Sequence, residues 1–200
     1  MGKVLTIGRE YGSNGRLIAQ NLAQHLGIKF YDRELIGMAA KKSKIDDEQL
    51  KEVDESRANP WFYSSADFAV GTAFPSVAPV NDILFQAESE TIKDIAEKED
   101  CIIVGRCSNY ILRNKSDVRH IFVYAPLEKR IATVQERDAL SEKKAQVAIK
   151  KMDKRRRLYY NFYTDSVWGD LKYYDLSLNS SSFSMEQIIE ILKSVYETIS

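Results

Sequence analysis

The sequence predicts an α/β fold with three layers, in which helices cover both faces of a five-stranded, mainly parallel sheet. Two observations lead to this prediction. Short β-type runs alternate with segments of helical periodicity along most of the chain. Residues 1–31 already contain a strand, a glycine-rich loop, a helix and a second strand in that order. Because a strand–helix–strand unit of this kind returns parallel to itself, a parallel sheet is expected.

The individual elements follow from periodicity and from their end signals. Strands are predicted at 4–7, 28–31, 101–104, 119–124 and 174–178. Helices are predicted at 16–26, 32–42, 46–57, 82–98, 126–137, 141–163 and 185–199. Gly27 suits the end of the first helix. Ser184 with Gln187 predicts a capping box at the start of the last one.

Residues 58–81 interrupt this alternation. The segment holds three prolines and the cluster Trp61-Phe62-Tyr63, which is too aromatic for a solvated linker. We interpret it as an irregular insert in a single domain spanning 1–200, on the side where an acceptor substrate is predicted to bind. It is also a candidate surface for a homodimer.

Composition excludes several classes of protein. Lys and Arg together number 29, as do Asp and Glu, which weighs against a dedicated nucleic-acid binder. No apolar run approaches the length that spans a membrane, and the N-terminus lacks the layout of a signal peptide. Two cysteines and two histidines indicate no metal-ligand cluster. A cytoplasmic protein with reduced thiols is expected.

The glycine-rich loop between the first strand and the first helix is the strongest candidate site. A phosphate cradle needs backbone N–H groups that converge at a helix N-terminus with no Cβ atoms in the way. The predicted phosphate-binding residues are Tyr11, Gly12, Ser13, Asn14, Gly15, Arg16 and Leu17. The alternative is a glycine-rich turn that carries a surface arginine.

This loop departs from the P-loop pattern G-x-x-x-x-G-K-[ST] at most of its fixed positions. Glu10 replaces the first glycine, Arg16 the lysine and Leu17 the hydroxyl residue. Arg16 can still bind phosphate, and it can do so with two nitrogens at once. Leu17 cannot ligate Mg²⁺, so the ion would depend on substrate phosphates, water or another side chain such as Asp32.

Four segments resemble the cytidylate kinase-like family of bacterial proteins, relatives of nucleoside monophosphate kinases. They are GREYGSNGRLIAQNLAQHLGIKFYDRELI, IIVGRCSNYILR, HIFVYAPLEKRI and DKRRRLYYNFYT, and the likeness covers nearly the whole chain apart from 58–81. The resemblance implies a P-loop kinase fold, ATP or another nucleoside triphosphate as donor, Mg²⁺, and a nucleotide-like acceptor. True cytidylate kinases carry Asp-Gly-Arg where residues 104–106 read Val-Gly-Arg. They carry Asp-x-Gly where residues 32–34 read Asp-Arg-Glu.

Several side chains are placed to act on a phosphoryl group, whose transfer needs surrounding positive charge. Arg106 follows a buried strand at the sheet edge where ligands of open α/β sheets bind; it could instead pair with a helix carboxylate. Asp32 could orient an acceptor hydroxyl or a Mg²⁺-bound water, or it could be a plain N-cap. Arg33 and Arg137 complete the predicted acceptor-binding set.

Residues 141–163 are strongly basic and end in aromatic side chains. In nucleoside monophosphate kinases the corresponding segment is a lid whose arginines close over the phosphates, so Arg155 and Arg156 join Arg16, Asp32 and Arg106 as predicted catalytic residues. A solvated helix face and an RNA-binding patch with stacking aromatics are the alternatives.

These observations together predict ATP-dependent phosphoryl transfer to a nucleoside monophosphate such as CMP. Two alternatives stay open, a nucleotide-binding regulatory module without turnover and a kinase of another small-molecule alcohol.

Overall fold

A computed structural model of the chain describes residues 2–43 and 77–199. Its strands are β1 (Val4–Arg9), β2 (Lys29–Tyr31), β3 (Cys101–Val104), β4 (Val118–Tyr124) and β5 (Leu176–Asn179). Its α-helices are α1 (Gly15–Leu26), α2 (Glu34–Ser43), α3 (Val77–Lys98), α4 (Ser108–Ile111), α5 (Leu127–Asp138), α6 (Glu142–Thr164) and α7 (Met185–Glu197). A 3₁₀ turn, Leu171–Tyr173, precedes β5.

The five strands form one parallel sheet in the order β2-β3-β1-β4-β5. Val4 lies opposite both Cys101 and Val118, which fixes the register of the three central strands. The predicted α/β fold is confirmed. Within the sheet, β2 and β3 lie on one side of β1, and the later strands β4 and β5 lie on its other side, so the strand order reverses at β1. The carboxyl end of β1 is therefore the point where ligands bind in sheets of this kind.

One face of the sheet is buried beneath α1 and α7. Leu5, Ile7 and Val123 point into this core, where they meet Ile18 of α1 and Leu192 of α7. The alternation of side chains along a strand brings these residues to one face. The core fixes the N-terminus of α1 directly beyond the end of β1, and that junction carries the glycine-rich loop.

The ends of the elements agree with the sequence in most places. The Ser184 hydroxyl accepts a hydrogen bond from the Gln187 amide, and the Gln187 side-chain oxygen accepts one from the Ser184 amide, so the predicted capping box is confirmed. The helix predicted to begin at 82 begins instead at Val77. Residues 77–81 are therefore helical and not irregular, because a proline at position 79 is tolerated in a first turn. The predicted helix 46–57 and residues 58–76 of the insert lie outside the described residues.

The chain groups into two compact units, residues 1–32 with 93–200 and residues 33–92. In the second unit, Ala39 and Ile36 of α2 pack on Leu84 and Ala87 of α3. The first unit contains the sheet and the glycine-rich loop. That the whole chain is one domain stays a prediction. Across the described ranges, no helix is both long and apolar enough to cross a membrane.

Candidate active site

The glycine-rich loop connects β1 to α1 in a defined conformation. Gly12 and Asn14 have positive φ angles of 84° and 61°. The buried hydroxyl of Ser13 donates to the Glu10 carbonyl at 2.9 Å and lies 3.1 Å from the Val123 carbonyl. The Ser180 hydroxyl after β5 donates to the Ser13 carbonyl at 2.7 Å. The loop is therefore fastened to the carboxyl ends of β4 and β5, which lie on one side of β1 in the sheet.

Two glycines in this region are required by space. A Cβ atom at Gly12 would lie 2.8 Å from the Arg130 carbonyl oxygen, and one at Gly15 would lie 2.7 Å from the Arg9 Cβ. The close packing at Gly15 starts α1 directly against β1. The first amides of a helix have no intrahelical acceptor. Helix ends of this kind can hold nucleotide phosphates, so the predicted phosphate site has the backbone arrangement that it requires.

Glu10, which departs from the P-loop pattern, anchors the loop to the rest of the sheet. Its carboxylate accepts a hydrogen bond from the Ala125 amide at 3.2 Å. The same oxygen lies 3.5 Å from Nε of Arg130. The side chain thus ties the loop to the segment after β4 and to α5. Glu10, which stands where the P-loop pattern has its first glycine, therefore has a structural role in this protein.

Asp153 of the basic helix α6 is the second anchor of the loop. One carboxylate oxygen accepts from the Tyr11 amide at 2.8 Å, and the other accepts from Nη1 of Arg130 at 2.6 Å. Asp153 and Arg130 are 12% and 11% exposed, so their ion pair is largely shielded from water. The Tyr11 amide is directed at Asp153 and not at a phosphate. The Tyr11 amide is therefore not available to the predicted phosphate cradle, which would depend on the residues that follow.

The Tyr11 ring lies between two arginines. Nη2 of Arg137 donates to the Tyr11 hydroxyl at 2.6 Å. The guanidinium carbons of Arg137 and Arg156 lie 4.8 and 5.7 Å from the ring centre, within the range of cation–π attraction. Arg137, predicted to bind the acceptor, is thus placed beside the loop. Its pKa is raised, chiefly by the hydrogen bond from its side chain to Asp138.

Asp32 joins two arginines at the end of β2. Its Oδ2 accepts from Nε of Arg16 at 2.7 Å, and its Oδ1 lies 3.4 Å from Nη2 of Arg9. Both oxygens therefore face guanidinium groups, which is more than a plain N-cap requires. The Arg16 side chain is 54% exposed. Its contact through Nε leaves the two terminal nitrogens of the fork available to a phosphate.

Arg9, the last residue of β1, was not predicted from the sequence. Burial, reinforced by the nearby charge of Arg156, lowers its pKa to about 9, and the charge of Asp32 opposes this shift. The side chain remains cationic at neutral pH. Nη1 of Arg156 donates to the Arg9 carbonyl at 2.8 Å, so the basic helix also reaches the end of β1. The sequence signal that was overlooked is a charged residue at the carboxyl end of a buried strand.

Arg106 follows β3 in an unusual backbone conformation. Gly105, Arg106 and Cys107 have consecutive positive φ angles of 76°, 55° and 54°. Such angles cost about 1–3 kcal/mol for a residue with a side chain, and they cluster at functional sites. Together with Arg9 and Arg156, Arg106 lines a cavity of about 60 Å³ at the carboxyl ends of β1 and β3.

The basic helix divides its charges between two faces. Its lysines and Arg157 are exposed, whereas Asp153 and Arg156 turn toward the loop. Arg155 belongs to neither group, and its Nη1 lies 3.7 Å from the Met152 sulfur. A solvated face is therefore present, and Arg156 lies beside the loop; that Arg155 and Arg156 close over the phosphates stays a prediction. Arg33 is exposed and belongs to the second compact unit.

A protein-built Mg²⁺ site is not found in the described part of the chain. No group of three His, Cys, Asp or Glu side chains converges there. Leu17 is exposed at 47% and has no ligating atom, and both oxygens of Asp32 face arginines. The residues present therefore fit nucleotide phosphates, but they do not form a ligand set for a resident metal.

Comparison with known sequences decides the family. The profile of the cytidylate kinase-like family matches residues 4–182. The chain belongs to the cytidylate kinase-like family. A cytidylate kinase from Methanopyrus kandleri is 25% identical over 98% of this chain and 94% of its own length. The chain is accordingly a phosphotransferase of the nucleoside monophosphate kinase type.

Solved structures show the same fold. An uncharacterized protein from Eubacterium ventriosum superposes with a TM-score of 0.71 at 29% identity, with 98% of each chain covered. A shikimate kinase from Bacteroides thetaiotaomicron superposes with a TM-score of 0.52 at 11% identity, covering 97% of this chain and 98% of that one. The second likeness concerns the fold alone. The predicted three-layer P-loop kinase fold is confirmed.

Proposed function

We propose that the protein transfers the γ-phosphoryl group of ATP to a nucleoside monophosphate such as CMP. The observation that carries the proposal is the loop between β1 and α1, with Arg16 at its end. Gly12 and Gly15 pack closely on Arg130 and Arg9 and so start α1 directly after β1, and the first amides of the helix have no intrahelical acceptor. The fork of Arg16, held through Nε by Asp32, replaces the P-loop lysine.

On this proposal the β- and γ-phosphates of ATP bind the first-turn amides of α1 and the terminal nitrogens of Arg16. Asp32 positions Arg16, because the 2.7 Å contact fixes the plane of the guanidinium. A fixed donor needs no reorganisation as charge develops on the moving phosphoryl group, and this is how such groups stabilise a transition state. Mg²⁺ would bind to the nucleotide phosphates and water, and no step is assigned to a protein-bound ion.

The acceptor is proposed to lie at the carboxyl ends of β1 and β3, near Arg106. Arg156 reaches this edge from the basic helix. Arg33, Arg137 and Arg155 stay predicted contributors to substrate binding or charge neutralisation. The cytidylate kinase from M. kandleri supports CMP as the first acceptor to test.

A nucleotide-binding regulatory module without turnover is the second candidate. Leu17 at the place of the metal-binding hydroxyl and Val104 at the place of the family's aspartate favour it. Binding of ATP with no acceptor consumed would support this candidate over the kinase.

The experiment is a coupled assay of ADP release with ATP, Mg²⁺ and a panel of acceptors. The panel holds nucleoside monophosphates, the matching nucleosides and small alcohols, including shikimate. We expect turnover with one or more monophosphates and none with the matching nucleosides. Turnover with an alcohol only would replace the monophosphate proposal. Absence of turnover, with measurable ATP binding, would favour the regulatory module.

A further inference from the structure

Tyr11 of the glycine-rich loop contacts a helical hairpin with every donor and acceptor that it has. The hairpin consists of α5 and α6, joined by residues 139–141. The Tyr11 amide donates to Asp153 at 2.8 Å, and its carbonyl lies 3.4 Å from Nη1 of Arg130. Its hydroxyl accepts from Nη2 of Arg137 at 2.6 Å and donates to Asp138 at 3.2 Å. The proposed transfer of a phosphoryl group does not by itself explain why one loop residue contacts both helices in this way.

The Tyr11 ring also joins the apolar core of the hairpin. That core is a small cluster of buried side chains from both helices, Ile131, Val134, Ala145 and Ile149. Tyr11 is partly buried and packs against this cluster. The next residue, Gly12, approaches α5 so closely that a Cβ atom there would lie 3.0 Å from Cγ2 of Val134. The loop and the hairpin are therefore in direct contact at Tyr11, through apolar as well as polar groups.

Arg137, near the end of α5, is the side chain on which these contacts act most directly. Although it is 48% exposed, its guanidinium is held on more than one side. Nε and Nη2 donate to the two carboxylate oxygens of Asp138 at 2.8 and 2.7 Å. Nη2 also donates to the Tyr11 hydroxyl, and the guanidinium carbon lies 4.8 Å from the centre of the Tyr11 ring. These contacts use Nε and Nη2, so Nη1 stays available to an anion.

The contact with Tyr11 gives the pair of Arg137 and Asp138 a fixed place. A pair between two exposed neighbours along the chain is weak and does not hold a long side chain in one direction. Tyr11 contacts both members of the pair, and its own backbone is held by Asp153. The guanidinium is thereby kept beside the loop before any ligand binds. A side chain that is ordered in advance removes part of the entropic cost of binding.

We propose that Tyr11 is a positioning residue for phosphoryl transfer, and that its hydroxyl holds Arg137 where Nη1 contacts the phosphates of the bound ATP. The inference rests on the proposed function, because that proposal places ATP on the loop. Tyr11 acts through Arg137 and touches no reacting atom. A donor that is already in place needs no reorganisation as charge develops on the moving phosphoryl group. Arg156, whose guanidinium carbon lies 5.7 Å from the same ring, is held separately by the Arg9 carbonyl.

The test is a double-mutant cycle of wild type, Tyr11→Phe, Arg137→Gln and the variant that carries both changes. Tyr11→Phe removes the hydroxyl and keeps the ring in the core of the hairpin, so the fold should survive. Each protein is measured by kcat with the acceptor that the screen identifies, by calorimetric titration with β,γ-methylene-ATP and by melting temperature.

Tyr196→Phe is the matched control. It also removes a hydroxyl that contacts a charged group, because the Tyr196 hydroxyl donates to Asp100 at 2.7 Å. Asp100 directly precedes β3 and so lies at the amino ends of the strands, away from the loop. Tyr196→Phe should lower the melting temperature and leave kcat and the affinity for β,γ-methylene-ATP at their wild-type values.

In the wild-type background, Tyr11→Phe should lower kcat roughly tenfold, the loss expected for one hydrogen bond to a charged group. The affinity for β,γ-methylene-ATP should fall only about threefold, since the analogue lacks the charge that develops in the transition state. In the Arg137→Gln background, the same change should alter either quantity by less than about twofold. A residue with a merely structural role would cause the same loss in both backgrounds.

Equal losses in the two backgrounds would overturn the inference, and so would a wild-type kcat for Tyr11→Phe in an active protein. The titration needs no turnover. If no acceptor is consumed but the two substitutions remain coupled in analogue binding, the proposed function fails and the positioning of Arg137 by Tyr11 stands. A protein that binds no β,γ-methylene-ATP would overturn both proposals.

Discussion

Replacing Asp153 by Asn tests whether the basic helix is fastened to the phosphate loop. The change keeps an oxygen that can accept from the Tyr11 amide, but it removes the charge that faces Arg130. It also places an amide donor near Nη1 of Arg130, which now lies 2.6 Å from a carboxylate oxygen. Arg130 would then be buried with a 3.5 Å contact to the Glu10 carboxylate and a 3.4 Å contact to the Tyr11 carbonyl as compensation.

The size of the effect follows from burial. Removing one member of a buried ion pair costs about 3–5 kcal/mol. The remaining contacts to Glu10 and Tyr11 place the expected loss at the lower end, about 3 kcal/mol. For a chain of this length that lowers the melting temperature by roughly 6–12 °C. Asp153→Ala should cost about 1 kcal/mol more, because the Tyr11 amide then loses its acceptor as well.

The assay is thermal and urea unfolding of wild type, Asp153→Asn and Asp153→Ala, with Asp170→Asn as the matched control. Asp170 pairs with Lys172 on the surface, so its substitution should change stability by less than about 0.5 kcal/mol. A melting temperature for Asp153→Asn within about 2 °C of wild type would refute the reasoning. So would equal losses in Asp153→Asn and Asp170→Asn.

Three other predictions concern separate parts of the first unit. Burial lowers the pKa of His120, whose Nδ1 lies 2.8 Å from the Thr6 hydroxyl. Below about pH 6.5 the unfolded chain therefore binds the proton more readily than the folded chain does. As the pH is lowered through this range, the free energy of unfolding should fall by up to ~1.4 kcal/mol per pH unit. Urea titrations at pH 7.5 and 5.5 should show a smaller fall in His120→Asn, and an equal fall would contradict the assignment. Gly12→Ala should lower the free energy of unfolding by about 2 kcal/mol, because a Cβ atom there would meet the Arg130 carbonyl and the φ angle is positive. An unchanged free energy of unfolding in urea would count against the loop geometry. Burial raises the pKa of the Cys101 thiol to about 12, so peptide mapping after iodoacetamide at pH 8 should find it unmodified in the native protein, and rapid labelling would disprove its burial.

The sequence predicted the fold because its local signals agree with one another. The strand at 101–104, the glycine after α1 and the capping box at Ser184 each depend on residues a few positions apart. The short helix α4 escaped prediction because four residues are too few to display a helical period. The start of α3 was placed late because proline at 79 was read as a breaker, although the first turn of a helix accepts it.

The site was predicted less completely, because its central contacts join distant parts of the chain. Arg9 and Asp32 are 23 positions apart, and Tyr11 and Asp153 are 142 apart. Spacing along the sequence carries no sign of such pairs. The loop and Arg16 were recognisable from the glycines and the preceding strand. Asp153, in contrast, appeared only as one acid in a basic helix, and the fold was needed to show what it holds.

Phosphoryl transfer by Arg16 variants tests the central claim most directly, once the acceptor screen has supplied a substrate. The measurement is kcat/KM, ATP affinity and melting temperature for wild type, Arg16→Lys and Arg16→Ala. Arg16→Ala removes a charge-assisted contact that strengthens in the transition state. It should therefore lose about 2–4 kcal/mol of transition-state stabilisation. That is roughly a hundredfold or more in kcat/KM. Arg16→Lys should also be impaired, since lysine cannot contact Asp32 and the phosphates with one planar fork. The melting temperature of Arg16→Ala should fall as well, because the buried Asp32 carboxylate is left with its 3.4 Å contact to Arg9, but the core face of α1 keeps the fold. Full activity in Arg16→Ala with unchanged ATP affinity would mean that the loop is only a turn.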